Sequence, residues 1–229
     1  MKKKLVVITG AGMSAESGVS TFRDSNGLWE NHDIMDVASP LGWQKNPEIV
    51  LDFYNKRRAQ LKEVEPNLGH KILVELEPFL DVQIITQNVD NLHERAGSTN
   101  VLHLHGELTR VRGEHSPEES IFWTEDIVLG DTNENGEQLR PDIVWFGEAV
   151  PKLTEATYIA AQADFMVIIG TSLQVYPAAS LVEYPKINVP IIYIDPNPAL
   201  SQIDQKRVHV LPHIASEGLE IIKEKLKNL

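Results

Sequence analysis

Cysteine is absent from this chain of 229 residues, which excludes disulfide bonds and metal sites built on thiolates. No stretch approaches the roughly 20 consecutive apolar residues that a membrane-spanning helix needs. Lysines precede apolar residues at the start, as in an export signal, but the uninterrupted apolar run covers only residues 5–8. That run is shorter than the roughly 7–15 apolar residues in the hydrophobic region of a signal peptide. We therefore expect a buried first strand and a cytoplasmic protein.

Positive charge is also scarce, since 21 lysines and arginines stand against 33 acidic residues, a formal net charge of −12. The electrostatic field of this net negative charge repels the phosphates of nucleic acid and anionic membrane surfaces, so neither is an expected partner. An anionic small ligand would have to be held by local donors. The 42% of hydrophobic residues is enough for the core of one large domain, and we expect a monomer.

Four short apolar runs rich in β-branched residues predict strands that are buried on both faces, as in a parallel sheet. Their ranges are 4–9, 82–86, 165–170 and 189–195, with weaker candidates at 100–104 and 142–146. Helical patterns lie between them, at 47–64, 67–77, 152–162 and 216–227. Strands that alternate with helices predict an α/β fold, a Rossmann-like doubly wound parallel sheet.

Two segments interrupt this alternation. Residues 26–66 contain an amphipathic helix and indicate a helical insertion, whereas residues 110–140 are polar, rich in turns and weakly patterned. We expect the two insertions to form a smaller module. The remaining segments, 1–25, 67–109 and 141–229, make up the predicted Rossmann-like domain.

A glycine loop, ITGAGMSAESG, follows the first predicted strand directly. Gly10, Gly12 and Ala15 fit the pattern G-x-G-x-x-G/A, with a helical turn expected from about Ser14. In that pattern glycines let the backbone approach a pyrophosphate, and the helix N-terminus offers N–H donors. A tight turn with no ligand would give the same letters.

The segment after the glycine loop argues against a dehydrogenase of the usual layout. Such an enzyme presents an acidic residue at the end of its second strand, roughly 20 residues on. Residues 22–36 instead indicate a loop, with no strand to carry that residue. Phe22, Arg23 and Trp29 form an aromatic and cationic set in this loop that is able to cover a dinucleotide.

Polar residues stand where the predicted strands end, at the edge of an open α/β sheet where ligands bind. They are Gln87, Asn88, Asp90, His105, Thr171, Ser172, Asp195 and Asn197. Each alone fits a turn or a cap, but several on one edge predict a ligand site. His103 and His105 also share a face of their strand, so they fit either a metal pair or a general base. The local sequence leaves both readings open.

Five segments resemble, in order, the motifs of the sirtuins, which are NAD-dependent protein-lysine deacylases. They are GAGMSAESGVSTFR, TQNVDNLHERAG, HLHGEL, RPDIVWFGE and GTSLQVYP, and the resemblance extends over essentially the whole chain. It implies transfer of an acyl group from lysine to NAD, with release of nicotinamide and 2′-O-acyl-ADP-ribose. Deacylation would make acylated proteins the partners of this chain.

The resemblance implies roles for individual residues. His105 matches the general base, Asn88 the residue that orients the reactive ribose, and Asp90 the residue that holds the nicotinamide carboxamide. Positions matching the peptide-binding segment are Val144, Phe146 and Gly147. Positions expected to contact NAD are Gly10, Ala11, Gly12, Ala15, Phe22, Arg23, Trp29, Gln87, Asn88, Asp90, Gly170, Thr171, Ser172, Asn197 and Ala215.

The resemblance also bears on metals. With His105 as the base, His103 becomes a packed or hydrogen-bonded strand residue. The family usually holds a structural zinc ion with two Cys-x-x-Cys pairs, and the matching positions, Gly113 with Ser116 and Thr132 with Asn135, lack thiolates. We therefore predict no structural zinc and expect His115 to be an exposed loop residue. We expect an apolar patch to order the module instead, formed by Ile121, Phe122, Trp123, Ile127, Val128 and Leu129.

Helix 47–64 carries an apolar stripe with Arg57 near its middle. The stripe consists of Val50, Phe53, Tyr54, Leu61 and Val64. Tyr54 and Arg57 are three residues apart, so their side chains converge. The pattern resembles the sirtuins that prefer negatively charged acyl groups, in which this pair would bind the carboxylate of succinyl-, malonyl- or glutaryl-lysine. Ala38 would leave room for the longer chain, and an acetyl group would still fit.

Two other functions share parts of this chemistry. An ADP-ribosyl transferase or NAD glycohydrolase also releases nicotinamide but delivers the ribose to a protein or to water. A non-catalytic NAD-sensing module is a third reading, and the presence of His105, Asn88 and Asp90 together argues against it.

Overall fold

The computed structural model describes residues 1–19, 28, 29, 32–204 and 206–229. For residues 28 and 29 it describes the main chain only. In chain order the strands are β1 Lys4–Thr9, β2 Leu28–Trp29, β3 His32–Asp33, β4 Asp81–Thr86, β5 Val101–His103, β6 Gly106–Gly113, β7 Ser116–Phe122, β8 Leu139–Ile143, β9 Phe165–Ile169, β10 Ile191–Ile194 and β11 Val208–Leu211. The α-helices are α1 Ile34–Val37, α2 Pro40–Lys45, α3 Pro47–Glu63, α4 Leu68–Leu76, α5 Leu92–Ala96, α6 Leu153–Ala161 and α7 Ala215–Lys227.

Six parallel strands form the main sheet, in the spatial order β11-β10-β9-β1-β4-β5. The central strand β1 pairs with β4 on one side and with β9 on the other. Its last residue, Thr9, lies opposite Thr86 and Ile169. The strand order reverses at β1, which is where a doubly wound sheet leaves a crevice for ligands. The predicted Rossmann-like fold is confirmed.

The central strands are continuous apolar runs because both faces of the sheet are covered. Leu5 and Val7 of β1 pack under α4 and α7, whereas Val6 and Ile8 face α6 on the other side. Alternate residues of one strand therefore enter two separate cores. No helix in the described ranges is both long enough and apolar enough to cross a lipid bilayer.

Helices α1, α2 and α3 pack with a three-stranded antiparallel sheet, β7-β6-β8, around a third apolar cluster. The cluster joins Val50 and Tyr54 of α3 to Val111 of β6 and Leu139 of β8, and all four are buried. The candidate strand at 142–146 is wrong in its bounds. It starts earlier and ends at Ile143, after which the chain turns away through Trp145.

Of the six residues in the apolar patch expected within 121–129, only Ile127 and Trp123 pack into the third cluster. Ile127 is buried, but Phe122 is 69% exposed, and Ile121, Val128 and Leu129 are exposed as well. Order comes instead from helix α3. The Asn55 amide donates to the Ile127 carbonyl over 2.9 Å, and its oxygen accepts from the Ile127 N–H over 3.0 Å. One side chain on the helix thus holds the loop through both of its polar atoms.

A hydrogen-bonded turn contains Thr132 and Asn135, two of the positions predicted to match the zinc cysteines of the family. Asn133 accepts from the N–H groups of Asn135 and Glu137 over 3.0 and 2.9 Å, and its amide donates to the Glu137 carboxylate. A hydrogen bond from Ser116 lowers the pKa of Glu137. A Cβ atom at Gly113 would collide with the Glu137 carboxylate and the Asn133 amide. The turn therefore fills the space beside the β6–β7 hairpin.

We expect Asn55→Ala to destabilise the small module by about 2–3 kcal/mol, because it leaves buried polar groups without partners. The groups affected are the N–H and C=O of Ile127 and the Arg58 guanidinium, which also donates to Asn55. Urea unfolding and limited proteolysis between 123 and 131 measure the effect. Asn135→Ala, at an exposed position of the same module, is the matched control. Equal stability of the two variants would contradict this role of Asn55.

A chelator is expected to leave the protein unchanged. Among the side chains that the structure describes, no three His, Asp or Glu residues are placed to hold a metal ion. A structural zinc ion would contribute directly to folding, so its removal would lower the unfolding temperature. Thermal unfolding with and without EDTA should therefore give the same midpoint, and a fall would contradict the prediction.

Candidate functional site

Two loops meet at the carboxyl edge of the central strands. The Gly12 N–H donates to the Gly170 carbonyl over 2.8 Å, and the Gly10 N–H donates to Ile169 over 3.0 Å. A Cβ atom at Gly12 would lie 2.6 Å from the Cα atom of Gly170, whose φ of +61° also favours glycine. Short 3₁₀ turns, Ala11–Met13 and Ala15–Ser17, complete the glycine loop. The result is a floor made of main chain, with no side chains at the glycines.

A buried polar network links the glycine loop to the segment after β4. The Asn88 amide donates to the Ser14 hydroxyl over 3.1 Å, and this hydroxyl donates to the Asp90 carboxylate over 2.9 Å. Asp90 also accepts from the Leu92 N–H over 3.1 Å. Burial raises the pKa of Asp90, and these two hydrogen bonds oppose the rise. Asn88 and Asp90 are therefore held in fixed orientations on the floor of the crevice.

Sequence reasoning missed Ser14 as a member of this network. It lies within the glycine loop, but its contacts are with residues more than 70 positions away. Its position follows from the register of β1 with β4, which places the two strand ends side by side. No local pattern in the sequence reports that register.

His105 follows β5 and is half-buried beside the same edge. Its Nδ1 atom lies 3.2 Å from the main-chain oxygen of Gln87, an acceptor, so Nδ1 carries the hydrogen. The Nε2 atom of the neutral ring is then a proton acceptor. Burial lowers the pKa of His105, and the contact with Gln87 opposes this shift. The imidazole ring is therefore uncharged at pH 7, and its Nε2 atom is able to accept a proton.

The sharp turn after His105 depends on Gly106. Gly106 has a φ of +83°, and a Cβ atom there would collide with the carbonyl of Asp142. The main-chain oxygen of His105 accepts from the Val144 N–H over 2.9 Å. The turn thus brings β6 and the segment after β8 against the histidine.

His103 has different partners from His105. It is buried, with Nδ1 3.1 Å from the Asn88 carbonyl oxygen and Nε2 2.7 Å from a Glu94 carboxylate oxygen. This confirms the prediction of a packed, hydrogen-bonded strand residue. The two histidines are not brought together on one ion.

The second half of the edge carries Thr171 and Ser172. The Gln87 amide donates to the Thr171 hydroxyl over 3.1 Å, and the Tyr193 hydroxyl donates to the Thr171 carbonyl over 2.7 Å. Ser172 is half-buried beside them. Hydrogen bonds across the crevice thus join the strand ends of β4, β9 and β10.

The other positions predicted to contact NAD are spread more widely. Asn197 is exposed after β10, and its N–H donates to the Asp195 carboxylate over 2.8 Å. Ala215 is buried at the start of α7. Trp29 pairs through its main chain with β3, and its side chain is not described. Phe22 and Arg23 lie outside the described residues.

The segment that follows β8 runs beside the helical insertion. The Phe146 N–H donates to the Ala38 carbonyl over 2.9 Å, and Phe146 and Gly147 are exposed. Trp145, which precedes them, is buried, and its indole N–H donates to the Tyr54 hydroxyl over 3.1 Å. The Arg140 guanidinium carbon lies 3.2 Å from the Trp145 ring centroid, which fixes the indole. Val144 through Gly147 therefore form a rim above α3.

Beneath this rim, α3 presents Tyr54 and Arg57 on its buried face. Tyr54 has no exposed surface and Arg57 is 5% exposed. Burial raises the pKa of the Tyr54 phenol far above its ordinary value, and the nearby charge of Arg57 acts in the opposite direction. The phenol therefore keeps its proton at every physiological pH. The Tyr54 hydroxyl is thus buried within electrostatic range of the Arg57 guanidinium, with the charges of Arg140 and Glu148 also near.

Comparisons with known proteins agree with this geometry. Residues 10–177 match the family described as Sir2 family. An NAD-dependent protein deacylase of Helicobacter pylori strain ATCC 700392 / 26695 is 57% identical over 226 residues, which cover 96% of this chain and 99% of that protein.

Two solved structures share the fold and contain the relevant ligands. A mutant Sir2 homologue in complex with ADP-ribose has a TM-score of 0.89 at 37% identity, covering 99% of this chain and 93% of that chain. A Sir2 homologue–NAD complex has a TM-score of 0.87 at 37% identity, with 99% and 90% covered. This chain therefore belongs to the Sir2 family and is an NAD-dependent protein deacylase.

Proposed function

We propose that this deacylase removes negatively charged acyl groups, succinyl and malonyl, from protein lysines, and that it also removes acetyl groups. The observation that carries the proposal is the buried pair of Tyr54 and Arg57 on α3. A guanidinium binds a carboxylate through two parallel hydrogen bonds, and a phenol adds one more donor. An acyl chain ending in a carboxylate complements this donor set.

The contacts of Tyr54 support this assignment. Its hydroxyl oxygen accepts from the Trp145 indole, so its own O–H remains a donor. Ala38, 3% exposed, is a small residue at the end of α1, and its carbonyl holds Phe146 in the rim. The pocket proposed here lies between α3, the end of α1 and this rim. Val144, Phe146 and Gly147 would bind the main chain of the substrate on either side of the acylated lysine.

The residues at the carboxyl edge fit NAD. The floor of Gly10, Gly12 and Gly170 would expose main chain to a pyrophosphate, and related chains are known as ADP-ribose and NAD complexes. When bound, NAD supplies a ribosyl carbon with nicotinamide as its leaving group. We assign Gln87, Asn88 and Asp90 to the nicotinamide riboside. The other assignments are Ala11, Ala15, Phe22, Arg23 and Trp29 along the glycine-loop side, and Thr171, Ser172, Asn197 and Ala215 on the adenosine side.

His105 is the proposed general base. With Nδ1 donating to Gln87, Nε2 is positioned to accept a proton from a ribose hydroxyl. Its neutral form at physiological pH is the form that a base requires. Asn88, fixed by Ser14, is proposed to orient the hydroxyl from which the proton is taken.

The test uses purified protein, NAD and two peptides of one sequence that carry succinyl-lysine or acetyl-lysine. Mass spectrometry follows nicotinamide, free lysine peptide and acyl-ADP-ribose. We expect acyl-ADP-ribose from both peptides, with the higher kcat/KM for the succinyl peptide. Product from the acetyl peptide alone would contradict the acidic acyl pocket. Nicotinamide without acyl-ADP-ribose would favour an ADP-ribosyl transferase or NAD glycohydrolase.

A further inference from the structure

The hydrogen bonds of His103 require a particular protonation state. A neutral imidazole has one donor nitrogen and one acceptor nitrogen. Both partners of His103, the Asn88 carbonyl oxygen and the Glu94 carboxylate, are acceptors, at 3.1 and 2.7 Å. Only the imidazolium, which carries a hydrogen on each nitrogen, satisfies both contacts. The His103 side chain is only 4% exposed, so its ring nitrogens have little access to water, although the Glu94 side chain is 40% exposed.

The charged groups around His103 are consistent with a buried cation. Glu94 from α5 pairs with the ring directly, and Glu107 from β6 contributes further negative charge. Burial lowers the pKa of His103, but these carboxylates and the Asn88 carbonyl outweigh it, so the net shift is upward. Asp90, after β4, and His93, on α5, also interact with its charge. Glu94 itself stays ionised because hydrogen bonding to His103 offsets the effect of burial on its pKa.

The His103 imidazolium donates to the main chain of Asn88, the residue proposed to orient the ribose. The Asn88 N–H donates to the Thr86 hydroxyl over 3.0 Å, and the Asn88 carbonyl accepts from His103. The main chain on both sides of its Cα atom is thereby fixed. The side-chain amide is then held in line with Ser14. A loss of the His103 hydrogen bond would free the peptide unit that sets the direction of this amide.

We propose that His103, held as an imidazolium between Glu94 and the Asn88 carbonyl, is a positioning residue for deacylation that keeps Asn88 in its reactive orientation. This inference rests on the proposed role of Asn88 in orienting the ribose. His103 itself touches neither substrate.

The first test reads the charge of His103 without any activity measurement. The whole protein, with ¹⁵N-labelled histidine, is titrated by NMR, and His103→Asn identifies the signals of residue 103. The two ring nitrogens of an imidazolium differ little in shift, whereas those of a neutral ring are widely separated. We expect the imidazolium at pH 7, with loss of its proton only as the pH rises further. A neutral ring at pH 7 would overturn the proposal.

The second test separates the two hydrogen bonds of the ring. In His103→Asn the amide nitrogen takes the place of Nδ1, so the bond to Asn88 is kept, whereas in His103→Gln it takes the place of Nε2. We expect kcat to fall about tenfold in the glutamine variant and less than about threefold in the asparagine variant, as for one lost hydrogen bond. His209→Asn, exposed on β11, is the control. Equal losses in the two His103 variants would overturn the proposal.

The third test uses the pH dependence of kcat. The hydrogen bond to Asn88 is present below the raised pKa of His103 and weakens as the pH rises through it, so kcat should fall on the alkaline side. Glu94→Gln removes the stabilising carboxylate and should move this fall to lower pH, while His103→Asn should abolish it. An alkaline limb that neither variant changes would overturn the proposal.

If the wild type makes no acyl-ADP-ribose, the proposed function fails, and the NMR titration still decides the charge of His103.

Discussion

His105→Ala is expected to lower deacylation by about 10²–10⁴-fold, the range for loss of a general base, while NAD binding stays within about threefold. The Nε2 atom of this ring is its acceptor, because Nδ1 is committed to the Gln87 carbonyl. Alanine removes that acceptor and leaves the glycine floor and the Asn88–Ser14–Asp90 network in place. Turnover is measured from acyl-ADP-ribose, and NAD binding by isothermal titration calorimetry.

A control separates loss of the base from general damage. His209→Ala changes an exposed histidine on the edge strand β11, and it should retain wild-type turnover. Thermal unfolding of both variants should match that of the wild type. Turnover above a tenth of the wild-type rate in His105→Ala would show that another group takes the proton.

The acidic limb of the pH profile is expected to have its midpoint below the ordinary histidine value of about 6.5. Burial lowers the pKa of His105, and the Gln87 carbonyl only partly opposes this. The active form is the neutral ring, so activity rises with pH through the lowered pKa and is already high at neutral pH. A kcat/KM profile of the wild type measures this limb. A midpoint above 6.5 would mean that another group controls the acidic side.

The parts of the fold that the sequence predicted are those with a strong local pattern. β1, β9 and β10 are nearly continuous apolar runs because the sheet is covered on both sides, β4 has a shorter one, and α3 has a clear buried stripe. The small sheet has no such pattern. Strand β7 is exposed or half-exposed along its whole length, so its residues show no apolar alternation. Its existence depends on pairing with β6, which is a tertiary contact.

The candidate site was predictable to a similar degree. The glycine pattern and the strand ends indicated the crevice, and the three-residue spacing placed Tyr54 and Arg57 on one face. The Ser14 link and the Glu94–His103–Asn88 chain were not predictable, because they depend on which loops the sheet brings together. The partial packing of the expected apolar patch has a similar cause. Its residues are hydrophobic, but which of them turn inward depends on tertiary contacts, such as the hydrogen bonds between Ile127 and Asn55 on a distant helix.

Arg57→Met is expected to lower kcat/KM for the succinyl peptide by about 10²–10⁴-fold, since two hydrogen bonds to a charged group contribute about 1.5–3 kcal/mol each. Methionine keeps an unbranched apolar stem in the stripe of α3, where Arg57 is buried beside Phe53. Deacetylation should change less than about threefold, because an acetyl group has no carboxylate to pair. The ratio of the two kcat/KM values is therefore the readout.

Two further variants decide what the arginine contributes. Arg57→Lys keeps the charge but loses the fork, so it should recover only part of the succinyl activity. Lys56→Met removes a positive charge from the exposed side of the same helix, next in sequence, and should leave the ratio unchanged. Equal losses on succinyl and acetyl peptides in Arg57→Met would mean that Arg57 supports the packing of α3 and does not recognise the acyl group. A selective loss, partly restored by lysine, requires a carboxylate of the substrate to reach the Arg57 guanidinium beside Phe53.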